Sequence, residues 1–189
     1  TSSTHKTLGG PQGVLILTNS RELAEATGSA LQPGLLSNHH LHQIPALCQT
    51  FSEWADMDGA AADQVIEAAR ALAWALASKG VSVVAPHLGY TASHTILIQA
   101  KPFGPAKALA SALEDANIIL GACRLPGRLG PDGLRLGTQE MVRRGLAMND
   151  VEEVAAVIAG LLRGEIDTGA ARNRVTALAL AMAQRSQMR

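Results

Sequence analysis

The sequence predicts an α/β protein, and three observations carry that prediction. Beyond Gly80, short apolar or β-branched runs alternate with alanine-rich stretches of helical pattern. Residues 60–78 hold Val65, Ile66, Ala69, Leu72, Ala73 and Leu76 at the 3.6-residue spacing of one helix face. Turn formers, among them Gly9-Gly10-Pro11, Gln32-Pro33-Gly34 and Gly130-Pro131-Asp132-Gly133, divide the chain into small elements.

In chain order, Thr1 to Gln12 is polar and glycine-rich and reads as an exposed loop. It opens onto a strand over Gly13 to Thr18, containing Val14-Leu15-Ile16-Leu17. Asn19 or Ser20 can cap a helix of two or three turns ending near Gly28. Residues 32–40 form a second loop, and residues 41–57 are helical, with Pro45 tolerated in the first turn. Asp58-Gly59 breaks that helix, and Ala60 to Ser78 is the longest one, closed by Lys79-Gly80. Val81 to Ala85, Thr95 to Ile98 and Asn117 to Leu120 are strand-like, with an alanine-rich helix over Pro105 to Asp115. After the turn at 130–133, Thr138 can cap a helix running to Ala147. Helices over Asp150 to Arg163 and Ala171 to Arg185 finish the chain.

Sixteen basic residues balance sixteen acidic ones in 189 residues, so the charge excess expected of a nucleic-acid binder or a disordered chain is missing. No stretch reaches the roughly 20 apolar residues that span a bilayer. Cys48 and Cys123 lie far apart with no metal-ligand spacing, which predicts neither a disulfide scaffold nor a metal site and fits a reducing cytoplasm. The opening Thr1-Ser2-Ser3-Thr4-His5-Lys6, without Met or an apolar leader, reads as a fragment or a processed chain.

Lys6 is the first candidate for chemistry. It follows His5 in a Thr- and Gly-rich loop, and a lysine amine with a lowered pKa attacks carbonyls to form Schiff bases. The string Thr4-His-Lys-Thr-Leu-Gly-Gly-Pro-Gln-Gly13 resembles the cofactor-lysine motif of the serine hydroxymethyltransferase (glycine hydroxymethyltransferase) family, pyridoxal-phosphate enzymes of the aspartate-aminotransferase-like fold. Three further stretches match in order: Gln32-Pro33-Gly34 with His42, Thr91-Ala92-Ser93-His94 before a strand, and Gly133-Leu-Arg-Leu-Gly-Thr138 followed by Arg143-Arg144-Gly145. The resemblance covers essentially the whole chain.

What the resemblance implies is specific. Residues 1–57 would be the end of a pyridoxal-phosphate large domain, and residues 58–189 a small α+β C-terminal domain with its linking helix. Lys6 would carry pyridoxal 5'-phosphate, with His5 beside it as a catalytic residue and Thr4, Ser37 and Asn38 as further cofactor-binding residues. Arg135 would grip the amino-acid carboxylate through two parallel hydrogen bonds. The implied reaction interconverts serine and glycine by retro-aldol cleavage of the Cα–Cβ bond, in a cytoplasmic homodimer with tetrahydrofolate as co-substrate.

Several positions depart from the family pattern. Gly34-Leu-Leu-Ser-Asn38 stands where the family has a glycine-rich phosphate loop, and Gln12 where it usually has arginine. Cys123 falls on the asparagine that reads the pterin of folate, and a thiol lacks the paired donor and acceptor of an amide. These departures keep two alternatives open, a folate-independent β-hydroxy amino acid aldolase or transaldolase and a non-catalytic member of the family.

Overall fold

The glycine-rich opening segment of the chain turns back on itself. In a computed structural model, which describes residues 1–38, 40–56 and 59–187, the backbone N–H of Thr4 donates to Gly13 at 3.0 Å, and that of Gly10 returns to Thr4 at 2.8 Å. This pinning brings Ser2–Ser3 (β1) antiparallel to Val14–Leu15 (β2). The expected strand over 13–18 is thereby cut to two residues, because its partner is only two residues long. The expected loop likewise contains β1.

Helix α1, Arg21–Ser29, starts where Ser20 accepts the N–H of Leu23 at 3.2 Å. Residues 30–35 continue as a wide helical turn broken by extended Gln32, instead of an irregular loop. Helix α2, Gln43–Asp56, holds Pro45 in its first turn, where a missing N–H costs nothing. The expected end and break at Met57 and Asp58 lie outside the described residues. The chain divides into two compact units, Thr1–Ala61 and Ala62–Arg189, so the division falls in the first turn of α3, Ala60–Ser78.

The second unit is built on a three-stranded antiparallel sheet of order β3-β5-β4, with β3 at Thr95–Gln99, β4 at Gly121–Cys123 and β5 at Gly133–Gly137. Ile96 and Ile98 lie opposite Leu136 and Leu134, all on one buried face. Against that face pack Leu72 and Leu76 of α3, Leu113 of α4 (Ala106–Asp115), and Val151, Ala155 and Ile158 of α6 (Val151–Leu162). Small alanines dominate the helix sides of this core and allow close approach.

Four expectations need correction here. Residues 81–85 form a single bridge, Val83 to Ile98, because Ala85 turns left-handed at φ 61° and ends the extended run. The strand expected at 117–120 lies at 121–123, since Asn117 takes φ 63° to terminate α4 and Ile118 bonds back to Leu113. Thr138 does not cap α5 with its side chain. Its hydroxyl, fully buried, donates to the Val65 carbonyl at 2.9 Å, and α5 is only Gln139–Arg143, ended by Gly145 at φ 90°. Finally α7 runs Thr168–Gln187 and, not α3, is the longest helix, because Asp167 accepts the Ala170 N–H and starts it early.

Arginines staple helix ends in this unit. Arg172 donates to the Asp115 carbonyl at the end of α4, Arg163 to the Lys79 carbonyl beyond α3, and Arg185 to the Gly145 carbonyl and the Asp150 carboxylate. The carbonyls are ones that helix ends leave open, and the Asp150 carboxylate accepts the Ala147 N–H at 2.8 Å as well.

Candidate active site

In the first unit the residues singled out at 4–6 sit on the pinned loop. Thr4 is buried, and its hydroxyl donates to the Pro11 carbonyl at 2.6 Å, crossing the loop that the Thr4–Gly13 backbone bond closes. His5 is exposed, and its Nδ1 accepts the Gly13 N–H at 3.4 Å. Lys6 is exposed, while its carbonyl accepts the Gly9 N–H at 2.8 Å. The result is a lysine with a rigid backbone and a solvent-facing side chain. Trp54 of α2 steadies the same loop by donating Nε1–H to the Leu8 carbonyl at 2.9 Å.

Beside this loop lies a pocket of about 330 Å³ between β2 and the start of α2. Thr4 and Asn38 both line it, together with Gln12, His40 and Gln43, against Val14 and Ile44. Two of the expected cofactor-binding residues thus line one pocket. Lys6 and Ser37 do not line this pocket, and both are exposed. His40, Gln43 and Ile44 escaped the sequence reading, whose only signal for them was their closeness to His42.

In the second unit Arg135 occupies the middle of β5, opposite Leu97 of β3 and Gly121 of β4. Its neighbours Leu134 and Leu136 point into the core, so strand alternation turns Arg135 to the open face. It is exposed, and among the described residues no hydrogen bond or ion pair engages its guanidinium. By contrast Arg144 is paired with Glu140 at 2.7 Å, and Arg143 is a solvated charge at the end of α5. The Thr91–His94 stretch forms a tight turn in which Thr91 Oγ1 accepts the Ser93 N–H at 3.1 Å, and the His94 carbonyl accepts the Thr138 N–H at 3.3 Å. His94 is therefore anchored to the residue that follows β5.

Donor chemistry can be tested against pyridoxal 5'-phosphate, an aldehyde with a phosphate. A solvent-facing primary amine on a fixed loop suits the aldehyde, and the Asn38 amide lining the pocket suits a phosphate, whereas the Thr4 hydroxyl already donates to the Pro11 carbonyl and closes the loop. The residues of the first unit fit the group to that extent. Groups for the ring nitrogen and the ring face are not among the residues gathered here.

Residues 1–158 match the family model described as serine hydroxymethyltransferase. A relative of that name from Methanopyrus kandleri is 38% identical over 183 residues, covering 94% of this chain and 42% of the relative. Another from Pyrobaculum arsenaticum is 42% identical over 176 residues, covering 92% of this chain and 41% of the relative. Among solved structures, that of L-threonine transaldolase from Pseudomonas fluorescens in its internal aldimine state superposes with a TM-score of 0.86 at 29% identity, over 95% of this chain and 42% of that one. The chain spans about two fifths of the length of the curated relatives it matches. With a family match over residues 1–158 and relatives of 38% and 42% identity covering more than nine tenths of its length, the chain belongs to the serine hydroxymethyltransferase family.

Proposed function

We propose that this chain contributes the cofactor lysine and the carboxylate-binding arginine to a pyridoxal-phosphate-dependent transferase that interconverts serine and glycine. The observation that carries the reading is Lys6, an exposed amine on a loop locked by the Thr4–Gly13, Gly10–Thr4 and Gly9–Lys6 backbone bonds. A locked backbone removes the backbone share of the entropy lost when a residue is fixed at a reacting centre, leaving only the side-chain share. Membership in the family supports the substrate class.

The cofactor, when bound, supplies an electron sink for the pair released on Cα–Cβ cleavage. The chain's own residues bind and orient. Lys6 Nζ would hold the cofactor through its aldehyde carbon. Asn38, with Ser37 next to it in the chain, would meet the phosphate, Thr4 would keep the lysine loop closed through its bond to Pro11, and His5 would stand next to the lysine. Arg135 would bind the substrate carboxylate with two parallel charge-assisted hydrogen bonds, fixing which Cα bond is aligned for cleavage. A homodimeric, cytoplasmic enzyme accords with the family and with two free cysteines, Cys48 and Cys123.

The test uses the native polypeptide that carries this sequence. Incubation with pyridoxal 5'-phosphate and then borohydride is expected to leave a reduced adduct on the Lys6 peptide, found by mass spectrometry. Lys6→Ala should abolish it. An adduct elsewhere, or one that survives Lys6→Ala, would overturn the assignment.

A second reading, transaldol transfer of the glycyl unit to another aldehyde without folate, is favoured by one observation. Cys123 sits on β4 where the family's pterin-reading asparagine is expected, and the threonine transaldolase likeness is consistent with it. Stimulation of serine cleavage by tetrahydrofolate separates the two, being expected for the transferase and absent for the transaldolase.

A further inference from the structure

We propose that Gly121 is a positioning residue for Arg135. By carrying no side chain, it leaves a bare seat on the open face of the sheet, where the guanidinium rests with its fork free for an amino-acid carboxylate. The inference rests on the reading of Arg135 as the carboxylate ligand.

Three glycines surround Arg135 on that face: Gly133 and Gly137 two residues to either side on β5, and Gly121 directly across on β4. Glycine inside a strand gives up packing and conformational entropy, and commonly marks a close approach of another group. The three are not equivalent. A Cβ on Gly133 would collide with the Leu125 side chain, and one on Gly137 would lie 2.6 Å from Gln139 Oε1. Those spaces are filled by other residues of the chain. A Cβ on Gly121 would meet a single neighbour, Arg135 Nη2 at 3.9 Å. On the opposite side the cross-strand partner is Leu97, which carries a side chain where β4 has none. The guanidinium lies within van der Waals reach of the space above Gly121. Gly121 has no positive φ that would demand glycine for its backbone, so the missing side chain is explained by the arginine and not by the turn of the chain.

A branched side chain at 121 would occupy the seat and push the guanidinium aside. It should not weaken the fold, because β4 is an edge strand and β-branched residues suit strands better than glycine. The experiment measures the dissociation constant for glycine by calorimetry, alongside KM, kcat and thermal midpoint, on the native polypeptide loaded with pyridoxal 5'-phosphate. Gly121→Val is expected to weaken glycine binding on the order of tenfold, comparable to loss of one charge-assisted hydrogen bond, and to lower kcat as well, because the displaced guanidinium no longer aligns the Cα bond, with an unlowered midpoint. Gly121→Ala, whose methyl only touches Nη2, should change binding by less than about twofold. In an Arg135→Ala background Gly121→Val should add nothing, since the group it displaces is gone. Unchanged glycine binding in Gly121→Val, or the same loss with and without Arg135, overturns the proposal. Arg135→Ala that binds glycine normally instead overturns the carboxylate assignment beneath it.

Discussion

The two units of this chain solve the burial problem in opposite ways. Residues 62–187 enclose a continuous core in which Leu72, Leu76, Ile98 and Leu134 are 1% exposed or less. Among the described residues of 1–61, the buried side chains are two threonines, Thr4 and Thr50. Val14, Leu17, Leu35 and Leu36 are each more than half exposed there. The first unit is held by hydrogen bonds across a glycine-rich loop, the second by apolar area removed from water. Within this chain, which spans about two fifths of its relatives' length, the described bonds that fix the lysine loop are local backbone ones, whereas Arg135 owes its outward aim to the core beneath it.

Hydrogen exchange should expose this contrast most strongly. Amides of β3, β5 and α3 are expected to exchange only with global opening, those of α1 through local opening, with protection differing by about a thousandfold or more. Helix α1 has no buried residue and α2 only Thr50, so little resists their fraying. Equal protection in α1 and α3 would break the comparison. Truncation gives the same contrast in equilibrium terms. Leu134→Ala empties a fully buried site and should cost about 2–5 kcal/mol by denaturant titration. Leu35→Ala, at a position 79% exposed, should stay within about 0.5 kcal/mol. A cost for Leu35→Ala approaching that of Leu134→Ala would mean that the first unit has a core after all.

Much of the second unit was legible from periodicity. The apolar face of residues 60–78 became the buried face of α3, and Thr95–Ile98 became most of β3, because core burial enforces the pattern that sequence displays. Reading failed where tertiary bonds compete with local signals. Thr138 looks like an N-cap, yet the Val65 carbonyl on α3 captures its hydroxyl. Val81–Ala85 has strand composition, yet the left-handed Ala85 ends it. The motifs around Lys6 and Arg135 were visible as strings. The seat at Gly121 was not, since it exists only through the register that sets β4 against β5.

Thr138 also supplies a sharper test of the core. Thr138→Val keeps the shape and removes the buried hydroxyl, leaving the Val65 carbonyl one donor short. The expected loss is about 1–2 kcal/mol in unfolding free energy. A neutral effect would show that the helical bond at Val65 suffices and that the sheet-to-helix tie is dispensable.

The smallest effect expected concerns the Glu153–Arg174 pair, which joins α6 to α7 through two bonds of 2.7 and 2.9 Å. The hydrogen bonds from Arg174, with its charge, hold the Glu153 carboxyl below its ordinary value, against a smaller opposing effect of burial. Arg174 is raised in turn by the same carboxylate and stays charged throughout. A depressed carboxyl stabilises the folded chain above the unfolded-state pKa, and the contribution is lost as pH falls through the lower folded value. Both side chains are about 40% exposed, 39% for Arg174 and 43% for Glu153, so solvent screening limits the pair to about 0.2–1 kcal/mol despite its two-point geometry. Glu153→Gln should therefore cost a few tenths of a kcal/mol at neutral pH, roughly within that range. The gap to the parent should close below the ordinary carboxylate range, and shrink with added salt. A gap that stays constant from neutral to acid pH would assign the pair's worth to packing of the arginine stem between the two helices and not to its charge.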